Sequence, residues 1–237
     1  MTAKTLMIQG TSSGAGKTTL VTAICRILSD EGFKVAPFKS QNMSSYSYIG
    51  KKFEISRAQA IQAIAARTEI LPIMNPILLK PLGNYISQVF VNGIFYRKMH
   101  AKDYYKKFAL STGLEQSKKS LDQLLKTNDV VILEGAGSPA EINLQRYDIA
   151  NMRMAEYCKS PVILVTDIDK GGSFASIIGT LSLLDKKYQK LIKGFIINKF
   201  RGDVTILHPS YSVLKKMTLR PVIGTIPLID FDIPDED

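Results

Sequence analysis

The chain has 237 residues, long enough to fold as one large domain around its own core without disulfide or metal staples. Hydrophobic residues make up 45% and charged residues 22%, an ordinary globular balance, and no apolar run is long enough to span a membrane. The net charge of +10 is spread along the chain without interleaved aromatics, which argues against a nucleic-acid module and leaves two readings: a compositional bias of the host, or attraction of polyanionic small molecules.

The first residues lack the long apolar core and small-residue cleavage site of a signal peptide, and 5–9 is predicted as a first strand instead. It runs into Gly10-Thr-Ser-Ser-Gly-Ala-Gly-Lys-Thr-Thr19. Leu20, Val21, Ile24, Ile27 and Leu28 then mark a helix over 17–30, closed by Gly32. A glycine-rich loop between strand and helix offers backbone N–H groups and a helix N-terminus to an anion. Lys17 is spaced to reach the β and γ phosphates of a nucleotide and Thr18 to hold magnesium; Ser12, Gly14, Ala15, Gly16 and Thr19 complete the loop. Five residues, rather than the usual four, separate Gly10 from Gly16. A dinucleotide-binding loop fits less well, because a lysine and two threonines follow Gly16. Cys25 and Cys158 are the two cysteines. With His100 and His208 the only histidines, no zinc spacing arises, and the lack of a disulfide framework suits a reducing cytoplasm.

Residues 35–39 are predicted as a second short strand. Lys39 at its end is either a surface lysine or a cation set over a transferring phosphate or substrate carboxylate. An alanine-rich helix is expected over 56–67. The Asn92-Gly93 pair marks a hairpin over 88–97, expected as a decoration at the sheet edge. Residues 102–127 are helical and charged, with a break near Gly113. Strands follow at 130–133, 162–166, 194–198 and 222–226. The first leads into Glu134-Gly-Ala-Gly, whose carboxylate is either a magnesium ligand beside the phosphate loop or a solvated turn residue. Asp167-Ile-Asp-Lys-Gly-Gly172 is a similar cluster, open to a functional or a merely solvated reading. Asn198 either pairs with an adenine edge or is an ordinary turn former. Strands alternating with helices, without internal repeats or a low-complexity linker, predict one α/β domain over 1–237: a P-loop NTPase fold whose mainly parallel sheet is flanked by helices.

Several segments together resemble the cobyric acid synthase family, from about Met7 to Asp237. They are Gln9-Gly-Thr-Ser-Ser-Gly-Ala-Gly-Lys-Thr-Thr19, Ala36-Pro-Phe-Lys-Ser-Gln-Asn-Met43, Arg57-Ala-Gln-Ala-Ile-Gln-Ala63 and Met74-Asn-Pro-Ile-Leu-Leu-Lys-Pro81. Leu133-Glu-Gly-Ala-Gly-Ser-Pro-Ala-Glu-Ile-Asn143, Asp148-Ile-Ala-Asn-Met152, Thr166-Asp-Ile-Asp-Lys-Gly-Gly-Ser-Phe174 and Ile197-Asn-Lys-Phe-Arg-Gly-Asp203 complete the set. The resemblance implies a dethiobiotin-synthetase-like fold and an amidoligase using ATP and Mg2+. Its reaction is amidation of the b, d, e and g carboxylates of adenosylcobyrinic acid a,c-diamide through acyl phosphates, in cobalamin biosynthesis. It assigns Lys17 and Lys39 to the phosphates, Thr18 and Glu134 to magnesium and Asn198 to adenine. Gln41, Asn42, Asp148 and Asn151 fall to the substrate. The partners implied are the corrinoid and ammonia, or a separate glutaminase domain or subunit, with a second copy of the chain in a homodimer and neither nucleic acid nor membrane.

The family usually carries a C-terminal glutaminase-like domain with a cysteine on a tight strand-to-helix turn. This sequence stops at Ile229-Asp-Phe-Asp-Ile-Pro-Asp-Glu-Asp237, near where that domain begins, so that domain is expected to be absent and glutamine hydrolysis is not expected. Three rivals differ at identifiable places. Cobyrinic acid a,c-diamide synthase typically has K-x-G-P-D where this chain has Lys39-Ser-Gln-Asn-Met43. Dethiobiotin synthetase generally lacks the Asp148-Ile-Ala-Asn-Met segment. ParA/MinD-like ATPase switches usually add a lysine near the start of the loop, where this chain has Thr11, Ser12 and Ser13.

Overall fold

The computed structural model describes residues 3–230. Residues 231–237, most of the terminal segment at which a glutaminase domain would begin, lie outside the described residues. The strands are β1 (Lys4–Gly10), β2 (Val35–Phe38), β3 (Gln41–Met43), β4 (Ser47–Ile49), β5 (Glu54–Ser56) and β6 (Ile77–Gly83), then β7 (Ile86–Val91), β8 (Ile94–His100), β9 (Val130–Glu134), β10 (Val162–Asp167), β11 (Ile192–Phe200) and β12 (Val222–Pro227). The first two helices are α1 (Lys17–Asp30) and α2 (Arg57–Ala65).

Six strands form one parallel sheet in the order β12-β11-β10-β1-β9-β2. Its central strands are apolar nearly throughout because helices cover both faces. Alternate residues of each strand feed opposite layers. Met7, Leu133, Leu164 and Ile197 enter one core with Leu121, Leu124 and Ile177 from helices. Ile8, Ile132, Val165 and Ile196 enter the other, against Val21 and Cys25 of α1. The chain leaves β1 toward β2 on one side and later returns to β10 on the other. The loop after β1 therefore sits at the switch point, where open α/β sheets bind ligands beyond their carboxyl ends.

The predicted hairpin forms, with Asn92 and Gly93 at φ 46° and 80° as a tight two-residue turn requires. It lies at an edge, but of a second sheet in the order β3-β6-β7-β8, which the chain builds between β2 and β9. Tyr104, Phe108 and Ile149 pack under this sheet against Ile77, Leu79 and Val89. The helix expected over 102–127 winds as a π-helix over Tyr104–Gly113 and as an α-helix over Leu114–Thr127, so the change falls at Gly113. Among the described residues no helix is long and apolar enough to cross a membrane.

Candidate active site

The carboxyl ends of β1, β2, β9, β10 and β11 deliver Gly10, Lys39, Glu134, Asp167 and Asn198 to one rim. The loop from β1 to α1 closes there. Lys17 Nζ donates to the carbonyls of Ser12 (3.0 Å) and Gly137 (3.1 Å), drawing the lysine across the loop toward the turn after β9. Gly16 begins α1 at φ 92°, and a Cβ there would stand 2.1 Å from Asn198 Nδ2, so only glycine lets the amide approach. Asn198 Nδ2 donates to the carbonyl of Ala15 at 2.9 Å.

Glu134 is the centre of the rim and is 1% exposed. Its Oε1 accepts from Thr18 Oγ1 (2.7 Å) and Lys39 Nζ (2.8 Å); its Oε2 accepts from Gln62 Nε2 and, at 3.4 Å, from Gln59 Nε2. Burial pushes this carboxyl up, but the Lys39 charge and the hydrogen bonds from Lys39, Thr18 and Gln62 outweigh it and hold the group below its ordinary value. Glu134 is thus an ionised, fully partnered carboxylate, which answers the solvated-turn alternative: it is not solvated. Thr18 Oγ1 and Glu134 Oε1 stand 2.7 Å apart, close to the roughly 3 Å between neighbouring ligands of an octahedral magnesium. Hydroxyl and carboxylate oxygens are also the donors that ion takes, so the pair fits it.

Two clefts flank the loop. One, of about 420 Å³, runs along α1 past Thr19, Leu20 and Ala23 to Asn198 and the end of β12 with Leu228 and Ile229 after it. No carboxylate is among its described lining residues. The other, of about 370 Å³, opens beside Gly137 and is lined by Ser13, Gln41, Tyr105, Tyr147, Asp148 and Asn151 among others. Three of the four residues expected on the substrate side therefore share one cleft. Gln41 Oε1 accepts from Tyr104 Oη at 2.6 Å, which fixes its amide. Asp148 Oδ1 accepts from the N–H groups of Ala150 and Asn151, and burial, the larger effect, still raises this carboxyl above its ordinary value. Asn151 Nδ2 donates to the carbonyl of Ala136, and Gly135 is required beside it, since a Cβ there would lie 2.2 Å from Asn151 Oδ1. Asn42 stands apart: its side chain is buried and donates to Ser56 Oγ at 2.6 Å, and it does not line this cleft.

Sequence reasoning passed over Gln59 and Gln62. Their spacing in an alanine-rich helix puts two amides on one face, which was the readable sign. It also passed over Tyr105 and Tyr147, whose rings lie 6.0 Å apart in the cleft and which carried no motif.

A family model described as the CobQ/CobB/MinD/ParA nucleotide binding domain matches residues 6–233. The chain is 53% identical over 233 residues to a cobyric acid synthase of Caldanaerobacter subterraneus subsp. tengcongensis, covering 98% of this chain and 46% of that protein. It is 52% identical to a probable cobyric acid synthase of Thermococcus onnurineus, over 99% of this chain and 48% of that one. The chain thus spans about half the length of the curated relatives it matches. Among solved structures, the signal recognition particle 54 kDa protein of Aeropyrum pernix shares the fold at a TM-score of 0.55 and 15% identity, covering 97% of this chain and 42% of that chain.

Proposed function

This chain belongs to the CobQ/CobB/MinD/ParA nucleotide-binding domain family, and from that premise we propose that it is the ATP-dependent amidating part of a cobyric acid synthase. Its substrate on this reading is a corrinoid, adenosylcobyrinic acid a,c-diamide, amidated at the b, d, e and g carboxylates. The observation that carries the proposal is the Thr18–Glu134–Lys39 cluster, set between a phosphate loop and a polar cleft with room for a carboxylate side arm.

Lys17 and the loop N–H groups take the phosphates, with Ser12, Gly14, Ala15, Gly16 and Thr19 as the loop's contribution. Thr18 and Glu134 hold magnesium, which neutralises charge on the phosphate oxygens when bound. Lys39, 2.8 Å from Glu134, supplies a second cation to the transferring group. Gln41, Asp148 and Asn151 orient the substrate arm; Asn42, whose side chain bonds Ser56, contributes to the substrate side indirectly. The substrate carboxylate oxygen attacks the γ-phosphorus and the bond to the leaving ADP breaks. Ammonia then attacks the acyl carbon of the resulting acyl phosphate, loses a proton and expels phosphate, leaving an amide. Such chemistry needs positioning and charge neutralisation rather than a side-chain nucleophile.

The base cleft supports ATP over GTP. Asn198 spends its amide nitrogen on Ala15, which leaves its oxygen to accept from the amino group of adenine. The near-50% identity to cobyric acid synthases supports this reaction over a partner-binding ATPase switch of the same family. We place the protein in a reducing cytoplasm as a homodimer whose ammonia is free or comes from a glutaminase domain or subunit. The deciding assay offers ATP or GTP, magnesium, ammonium and the a,c-diamide corrinoid and follows amide formation. ATP turnover that ignores the corrinoid but responds to DNA would sink the proposal.

A further inference from the structure

Asn198 and Lys199 are consecutive in β11, yet both send their side chains to the phosphate loop. In an extended strand neighbouring side chains point to opposite faces. Lys199 departs from that geometry: its φ is 60°, a left-handed conformation that a residue with a Cβ rarely adopts. The twist brings Lys199 Nζ to the carbonyl of Gly14 at 2.8 Å, next to the Asn198 bond to the carbonyl of Ala15. The same ammonium donates to Asp167 Oδ2 at 2.9 Å. Asp167 is 6% exposed, and its Oδ1 accepts the N–H of Asp169, so both carboxylate oxygens are engaged. Thr11 Oγ1 donates to Thr166 Oγ1 at 3.1 Å, tying the start of the loop to the same strand end.

The consequence lies in the peptide planes. The Gly14 carbonyl shares a plane with the N–H of Ala15, and the Ala15 carbonyl with the N–H of Gly16. In a trans peptide the carbonyl and the N–H point in opposite directions. Two carbonyls held against β11 therefore turn two N–H groups away from it, into the concavity where an anion sits. We propose that Lys199, tethered by Asp167, is a positioning residue that presets the phosphate-binding geometry of the loop. The inference rests on the nucleotide-site reading above. It also gives the cluster after β10 a role, in which Asp167 serves the loop through Lys199.

The test measures binding of MgATP and of inorganic tripolyphosphate by calorimetry, with unfolding midpoints taken alongside, for the wild type, Lys199→Met, Lys199→Arg and Asp167→Asn. Lys199→Met should weaken both ligands by the same factor, about tenfold or more. Lys199→Arg should recover most of that loss, because a guanidinium can bridge the same two acceptors. Asp167→Asn should weaken both ligands severalfold, since the ammonium loses its anchor. If Lys199 acted only as a positive charge, removing the neighbouring carboxylate would tighten anion binding, and that sign overturns the inference. A loss confined to ATP would assign Lys199 to the base and overturn it too, as would lowered unfolding midpoints with unchanged affinities. A wild type that binds neither ligand would remove both this inference and the nucleotide reading. Binding of both ligands without corrinoid amidation would remove the proposed reaction and leave the inference standing.

Discussion

Replacing Lys17 by alanine removes a cation that spans the phosphate loop from Ser12 to Gly137. Loss of a charge-assisted contact costs about 1.5–3 kcal/mol in binding, so nucleotide affinity should fall roughly 10- to 150-fold in a folded protein. Near-unchanged affinity with an intact circular dichroism spectrum would reject the assignment. Glu134→Gln should raise the magnesium concentration needed for half-maximal turnover, and an unchanged midpoint and maximal rate would show that Glu134 is no ligand. The same variant removes the carboxylate partner of the buried Lys39, and losing one partner of a buried pair costs up to about 3–5 kcal/mol. The folded state holds the Glu134 carboxyl below its ordinary value, so its stabilising contribution is full above that ordinary value and disappears as pH falls through the folded one. Urea unfolding should therefore show the stability gap between wild type and Glu134→Gln at neutral pH and its narrowing in acid. A gap that does not change with pH would mean that charge is not what Glu134 contributes. Lys17, Thr18 and Glu134 were legible because strand, glycine turn and helix fix where such residues go. Lys199 was not, because its role depends on a left-handed residue that no local pattern announces, and Gln59 and Gln62 showed only through their spacing on one helix face.

At the scale of elements, the parallel sheet carries the nucleotide half, while the second sheet and the π-helix support the other cleft through Gln41, Tyr104 and Tyr105. The bounds of α1 were readable to the residue, since five apolar positions recur at helical spacing between a phosphate loop and a glycine. β6 was passed over. Pro81 breaks its strand pattern, and its turn runs through Gly83, Asn84 and Tyr85 at φ 89°, 48° and 60° rather than through the Asn-Gly pair that marked the next hairpin. Gly93 tests whether this sheet matters to the substrate side. A Cβ there would meet Phe53 Cβ at 2.6 Å in a backbone of φ 80°, so Gly93→Ala should cost about 1–3 kcal/mol. The expected kinetic result is a raised KM for the corrinoid with little change for ATP. An equal rise for both would show that the two halves are not separately supported.

For the whole molecule, nitrogen supply is the next test. Burial, and secondarily Glu134, pushes the Cys25 thiol up to about 12; burial pushes Cys158 up to about 11. Neither is a thiolate at neutral pH, as a glutaminase nucleophile must be. The purified 237-residue chain should amidate with ammonium salts and release no glutamate from glutamine. Glutamate release lost on mutating either cysteine would overturn this. The order of strands also has a consequence for how the molecule is made. β1 is synthesised first yet sits in the middle, with Lys4 paired to Val130 and Met7 to Val162. Translation proceeds at about 5–20 residues per second, so for many seconds the emerging phosphate loop has no sheet to close against. Such distant pairings also make folding slow. A ribosome-bound chain halted before β10 should fail to retain nucleotide, and one carried past β12 should hold it. For that interval the unpaired backbone edges and apolar faces of β1 are exposed, which is when a chaperone would shield them.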